Sequence, residues 1–291
     1  MALTALKAIL LVNLGTPSAP TPAAVRSYLA EFLSDSRVVG LPRFIWLPIL
    51  YGVILPRRSV SSAEKYAQIW TADGSPLAVH TRKQAELLGA DYAMRYGEPA
   101  LREAVKKKPE LVVPLYPQYS DSATGSVLDL VPAGMKFIRD FHAHPAYIEA
   151  LVAQARRHRR NDRLVMSFHG LPKRSAGEYE AQCLQTAGLL AEKLGLDSVE
   201  WKATFQSRFG FAEWLQPYTE PTLIELAKAG GAAVDVFCPG FVSDCLETLE
   251  EIGITARARF MEAGGRDFNL IPCLNESPEW IEALQQIAAS A

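Results

Sequence analysis

The 291-residue chain lacks the short motifs of the commonest nucleotide and hydrolase chemistries. No GxGxxG follows the first strand-like run, which ends NLGTP with a single glycine, so a dinucleotide cofactor is disfavoured. GxxxxGK[ST] is missing, and so are the GxSxG elbow of esterases and the HExxH of zinc proteases. The four cysteines form no CxxC pair and no regular framework, which reads as reduced cytosolic thiols without structural zinc. A charge excess is missing too. Thirty Lys and Arg face 32 Asp and Glu for a net charge of −2, so no field draws the chain to nucleic acid. The one basic run, RRHRR at 156–160, closes a predicted helix, where cations complement the helix dipole. No nucleic-acid partner is expected.

Long apolar runs are also scarce. Residues 41–56, LPRFIWLPILYGVILP, are cut by Pro42, Pro48 and Pro56 and carry Arg43. A spanning helix needs about 20 uninterrupted apolar residues, so this stretch does not cross a bilayer. It reads as buried core, as the lip of a pocket or as a peripheral membrane contact, and composition does not choose among them. The N-terminal run has no cleavage site and enters a turn directly, so it reads as a strand and not a signal peptide. A cytoplasmic location is expected.

What is present suits a large α/β fold. Hydrophobic residues make up 49% and charged residues 21%, enough for a sizeable core. Apolar strands are predicted at 7–14, 91–97, 110–119, 136–141, 164–168, 200–210, 234–239 and 269–274. Helical patterns separate them: one opened by Thr21-Pro22, then 61–70, 77–88, 99–107, 145–160, 178–194, 222–228 and 278–289. Regular alternation of this kind predicts parallel sheets covered on both faces. Two similar α/β halves meet near 141–150, without a sequence repeat strong enough to claim duplication.

Ligands of such sheets bind beyond the carboxyl ends of the strands. Two strand ends there carry chemistry. LVMSFHGLP, at 164–172, delivers His169, followed by Gly170, which permits close approach. VDVFCPGFVSDCLETLEE, at 234–251, runs from a strand into an acidic helix. On an α-helix Asp244, Glu247 and Glu251 would line one face, a row suited to a divalent cation with the imidazole as partner. Other strand ends mix arginine with aromatics (Arg95, Tyr96, Tyr116, Tyr119, Arg208, Trp214), a composition that suits a flat apolar ligand bearing carboxylates.

These residues fall in stretches that resemble the ferrochelatases. The matching segments are LLVNLGTPSAPTPAAVRSYLAEFLSD, GSPLAVHTRKQ, AMRYGEPALREAV, PLYPQYSDSATG, SFHGLPKR, TFQSRFGFAEWLQPYTEPTL, CPGFVSDCLETLEEI and IPCLNESPEWI. They keep the family's order over most of the chain. SFHGLP and SDCLETLEE are the most specific, and the latter resembles the proteobacterial members.

The resemblance implies two Rossmann-like domains, at 1–143 and 144–276, with a porphyrin clamped between them and a last helix at 277–291 packing back on the first. It implies insertion of Fe(II) into protoporphyrin IX to give protohaem. His169 and Glu247 would be the catalytic and metal-handling pair, with Glu251 continuing the acidic row. Arg58, Ser75, Arg95, Tyr96, Tyr116, Trp214 and Phe241 would line the porphyrin pocket. No tightly bound cofactor is expected, iron being a substrate; with no cysteine-bearing tail after Ala291, no iron–sulfur cluster is expected. A monomer is expected. The chain reads a few tens of residues shorter than the family, with losses between motifs, notably in KRSAGEYEAQC after His169. Surface loops tolerate such deletion. A chelatase for another metal or tetrapyrrole, and a porphyrin-binding protein without turnover, are the alternative readings.

Overall fold

A computed structural model describes residues 8–210, 212–230 and 232–291, so Lys7 of the expected first strand lies outside the described residues. Two compact units divide the chain: Met1–Asp140 with Leu284–Ala291, and Phe141–Ala283. The final helix forms at Pro278–Ala289, and its residues from Leu284 onward group with the first unit.

In the first unit, β1 (Ile9–Gly15) is flanked by β2 (Asp91–Tyr96) and β3 (Leu111–Pro114), and β4 (Lys136–Phe137) completes the sheet. The order is β2-β1-β3-β4 with every pair parallel. Burial on both faces explains why β1 reads as continuous ILLVNLG without alternation. Leu10, Val12, Ala93 and Val112 pack on Leu101, Val105 and Val127. At the end of β1, Gly15 has φ +110°, and a Cβ there would fall 1.7 Å from the Tyr96 carbonyl oxygen, so only glycine fits. The expected strand at 110–119 stops at Pro114, where ring nitrogens at Pro114 and Pro117 remove ladder donors.

Residues 41–56 do not form buried core. They build a helix, Arg43–Ile49, and a wide π-type turn, Leu50–Ile54, that continues into the helix Leu55–Ile69. Leu50 and Leu55 point inward, but Phe44 is 79% exposed, and Leu41, Ile45, Tyr51 and Val53 are exposed as well. Polar anchors hold the segment: Trp46 Nε1 donates to the Leu33 carbonyl at 2.6 Å and Arg43 to the Ser34 carbonyl at 3.1 Å.

The second unit repeats the strand order. Its β5 (Arg163–His169), β6 (Trp201–Gln206), β7 (Ala233–Phe237) and β8 (Asp267–Leu270) run parallel as β6-β5-β7-β8. Val165, Val234 and Val236 meet Leu223, Ile252 and Phe260 in its core. Asp235 is fully buried on β7 and accepts from the Arg160 and Asn161 backbone N–H groups and from Asn269 Nδ2. The basic run is partly absorbed by structure: Arg159 lies 3.6 Å from Asp235, and Arg157 pairs with Glu279 at 2.5 Å. In each sheet the first strand lies between the second and third, so the strand order reverses there, and the crevice beyond that point is where such folds bind ligands.

Candidate active site

His169 is the last residue of β5 and is half-buried, opposite Gln206 of β6. Its Nδ1 lies 2.6 Å from the Gly170 carbonyl oxygen. A carbonyl only accepts, so Nδ1 carries a proton and donates it, which leaves Nε2 as the ring nitrogen with no hydrogen bond among the described residues. The backbone is fixed from a second side, because the Tyr179 hydroxyl donates to the His169 carbonyl at 2.9 Å. The Phe241 ring stands 6.4 Å away, centroid to centroid. Trp214 is brought in by an antiparallel bridge to Pro172, and its Cε3 lies 3.3 Å from where a Gly170 Cβ would sit. The indole Nε1–H is buried with no partner among the described residues.

The acidic stretch is not an α-helix. Leu246–Ala256 is a π-helix of 11 residues, in which i→i+5 bonding replaces i→i+4. Asp244 precedes it and does not belong to the carboxylate row expected from α-helical spacing. Its oxygens accept instead from Thr248 Oγ1 at 2.9 Å and Asn275 Nδ2 at 2.7 Å. Glu250 is buried and accepts from Thr255 Oγ1. Glu247 and Glu251, four apart on the wide turn, remain half-buried.

The end of β6 holds this turn in place. Gln206 Nε2 donates to the Glu247 backbone carbonyl at 2.8 Å, while its Oε1 accepts from Ser167 Oγ at 2.6 Å. Ser167, Thr219 and Thr204 continue a buried hydroxyl chain beneath it. Ser207 sits at φ +64°, a left-handed conformation costing a non-glycine residue roughly 1–2 kcal/mol. Its N–H donates to Glu251 Oε1 and its Oγ to Glu251 Oε2, both at 2.6 Å. Burial pushes the Glu251 carboxyl above the usual carboxylate range and neighbouring Glu247 adds to this; Ser207 and the His169 ring oppose it. His169, Glu247 and Glu251 thus share one electrostatic neighbourhood. Even so, among the described residues no three His, Cys, Asp or Glu side chains are arranged to hold a metal ion.

The remaining expected residues lie in the first unit. Ser75 is buried and accepts from Thr16 Oγ1 at 2.8 Å, just past β1. Arg95, at the end of β2, is already engaged: its guanidinium donates to the Ser126 carbonyl at 2.8 Å and pairs with Asp35. The Tyr96 hydroxyl donates to the same Asp35 at 3.0 Å, and burial raises its phenol. Tyr116 follows β3, and its buried hydroxyl has no partner among the described residues; desolvation pushes this phenol up as well. Arg58 is half-buried on Leu55–Ile69, and desolvation lowers its guanidinium from the ordinary value.

A chain with these strand ends has close relatives. The family profile described as ferrochelatase matches residues 6–291. The chain belongs to the ferrochelatase family. The ferrochelatase of Azoarcus sp. (strain BH72) is 54% identical over 315 aligned positions, covering 97% of this chain and 87% of the relative. That of Herminiimonas arsenicoxydans is 54% identical over 314, covering 97% and 85%. Alignments longer than the 291 residues present mean that these ferrochelatases carry residues inside the matched span that this chain lacks. Among solved structures, SirB from Bacillus subtilis with Fe3+ superposes with TM-score 0.52 at 14% identity, covering 97% of this chain and 96% of that one. CbiX, described as the terminal enzyme for biosynthesis of siroheme in denitrifying bacteria, gives TM-score 0.52 at 14% identity, covering 98% and 99%. Both share the two-unit α/β fold.

Sequence reasoning missed Gln206, Ser207, Tyr179 and Asp35. For the first two, the polar end of EWKATFQSRFG was the available signal. Nothing local marks Tyr179 or Asp35, whose partners lie 10 and 60 positions away.

Proposed function

We propose that the chain inserts Fe(II) into protoporphyrin IX, releasing two protons and forming protohaem, the last step of haem biosynthesis. The observation that supports it most is that Gln206 links His169, its partner across the second sheet, to Glu247 and Glu251 on the π-helix, in a chain of the ferrochelatase family. The reaction exchanges two pyrrole N–H protons for one divalent ion, so it needs a base and a passing metal site. His169 Nε2, which carries a lone pair when the ring is neutral, takes a pyrrole proton and becomes imidazolium. Glu247 is the carboxylate that would guide Fe(II) and take the second pyrrole proton, and both protons then pass to solvent. A substrate ion must also leave, and a site short of a full protein ligand set suits transfer better than storage.

The residues proposed to bind the porphyrin offer it different chemistry. Tyr116 and Trp214 have donors without a partner among the described residues, which suits a bound ligand, and Phe241 supplies an apolar face beside His169. Ser75 and half-buried Arg58 suit carboxylate recognition. Arg95 and Tyr96, tied to Asp35, would form a fixed wall. Binding energy from the rest of the macrocycle can offset the distortion that exposes its nitrogens.

The exposed apolar residues at 41–53, with exposed Arg43 and Arg57 beside them, support peripheral membrane contact as a further part of this reading. No described helix is long and apolar enough to cross a membrane. Flotation with anionic vesicles, lost in Phe44→Ser, would support that contact.

The deciding experiment is anaerobic insertion of Fe(II) or Zn(II) into protoporphyrin IX, followed by loss of porphyrin fluorescence. His169→Ala and Glu247→Gln should each nearly abolish turnover while porphyrin still binds. Tight porphyrin binding by the unmodified chain without turnover would instead make it a binding protein.

A further inference from the structure

Resting on the insertion reading, we propose that Ser207 withholds the Glu251 carboxylate from the metal, so that Fe(II) passes His169 and Glu247 instead of being retained. Glu251 is the π-helix carboxylate that shares Gln206 with those two residues: Gln206 stands opposite His169 in the sheet, and its Nε2 reaches the Glu247 carbonyl at 2.8 Å and Glu251 Oε2 at 3.5 Å. A His and two carboxylates would make a credible divalent-ion site. No such cage is formed among the described residues.

The geometry gives the reason. Ser207 aims two donors at one carboxylate, its N–H at Oε1 and its Oγ–H at Oε2, each at 2.6 Å, and Gln206 Nε2 approaches Oε2 at 3.5 Å. Each oxygen thus accepts a short hydrogen bond from the β6 side, and these bonds hold the carboxylate toward that strand. The cradle requires a left-handed backbone, φ +64°, which glycine adopts most readily. What serine adds over glycine there is the hydroxyl, and the hydroxyl goes to Glu251. Its neighbour Glu247 has its backbone, not its side chain, held by Gln206. One carboxylate is thus fixed by a backbone N–H and a hydroxyl, whereas in the other the chain is fixed and the carboxylate is met by the Cys245 thiol, a weak donor that an ion displaces more readily.

The opposite role is chemically reasonable and predicts the opposite sign. Were Ser207 orienting Glu251 as a ligand, losing the hydroxyl would weaken metal binding, as loss of outer-shell partners does, by about 10–100-fold. Withholding predicts that binding tightens.

The test is Zn(II) titration of the full chain without porphyrin, comparing wild type, Ser207→Gly, and Ser207→Gly with Glu251→Gln. Glycine suits the backbone at 207, so the variant keeps its fold and its N–H. Ser207→Gly should bind Zn(II) at least about tenfold tighter, the scale on which one shell residue moves affinity. The double variant should return to the wild-type level. With saturating porphyrin, Ser207→Gly should show lower kcat and a lower KM for metal, a split that mere structural damage would not produce. Unchanged or weaker zinc binding in Ser207→Gly overturns the proposal, and so does tightening that survives Glu251→Gln. Zinc binding is read without porphyrin, so absence of turnover in the wild type would end the insertion reading separately.

Discussion

Gly170 and Gln206 meet backbone to backbone: the Gly170 N–H donates to the Gln206 carbonyl at 2.8 Å, and a Cβ on Gly170 would stand 2.6 Å from that oxygen. The carbonyl belongs to the strand that anchors the π-helix, and Trp214 closes the space from the other side at 3.3 Å. Gly170→Ala should therefore part β5 from β6 at the point where His169 leaves the sheet. Overpacking of this kind costs about 1–3 kcal/mol. Chemical denaturation should show a loss in that range, with a larger proportional fall in metal insertion, because His169 and the Glu247 turn are displaced together. Wild-type stability and turnover in Gly170→Ala would mean that the contact relaxes freely.

Asp35 and Arg95 form a buried ion pair, with side-chain exposures of 13% and 9%. Removing one partner of such a pair leaves an uncompensated charge and costs about 3–5 kcal/mol. Asp35→Ala should lower unfolding stability by that order, and adding Arg95→Met should recover much of it. Arg259 and Glu262, 59% and 66% exposed, provide the contrast: Arg259→Ala should cost less than about 1 kcal/mol. If Asp35→Ala is as mild as Arg259→Ala, then Arg95 has another anchor.

How far the sequence could be read follows from how local each cause is. β1 is legible because burial on both faces demands an unbroken apolar run, and Thr21-Pro22 because capping is a contact within one turn. His169 and Glu247 are expected from specific motifs, and they stand where those motifs put them, at a strand end and a helix start. Asp244 was misplaced because the carboxylate row assumed α-helical spacing, whereas the chain winds with i→i+5 bonds and Asp244 is drawn off by Asn275, 31 positions away. Ser207 could not be read because its left-handed backbone is set by Glu251, 44 positions on. Residues 41–56 were undecidable in principle, since a buried and an exposed apolar segment have the same composition.

Glu251 gives a pH dependence with a definite sign. Its carboxyl is raised above the ordinary range by burial and by Glu247, against the pull of Ser207 and His169. The folded state therefore holds a proton that the unfolded state has lost, and stability must fall as pH rises through that window. The window opens near the ordinary Glu value of about 4.3 and extends upward to the folded value. Glu251→Gln removes this slope, so wild type should lose stability relative to the variant as pH rises toward neutrality. Urea unfolding at several pH values checks it; a difference independent of pH would mean the carboxyl is not raised.

Tyr179 separates positioning of His169 from the chemistry of its ring. Its hydroxyl donates to the His169 carbonyl at 2.9 Å while its ring stays in the core at 7% exposure. Tyr179→Phe keeps the packing and deletes that bond, worth about 0.5–1.5 kcal/mol, together with a weaker contact to the Cys183 thiol. The imidazole retains its own bond to the Gly170 carbonyl, so the tautomer with Nε2 free should persist. If the lost bond serves mainly to fix where that nitrogen points, kcat should fall about two- to tenfold with porphyrin KM unchanged. Steady-state kinetics beside thermal unfolding distinguishes the outcomes. A stability loss with unaltered kcat would make the Tyr179 hydroxyl a fold contact alone. A fall as deep as that of His169→Ala would mean that Tyr179 controls the protonation of the ring and not just its place.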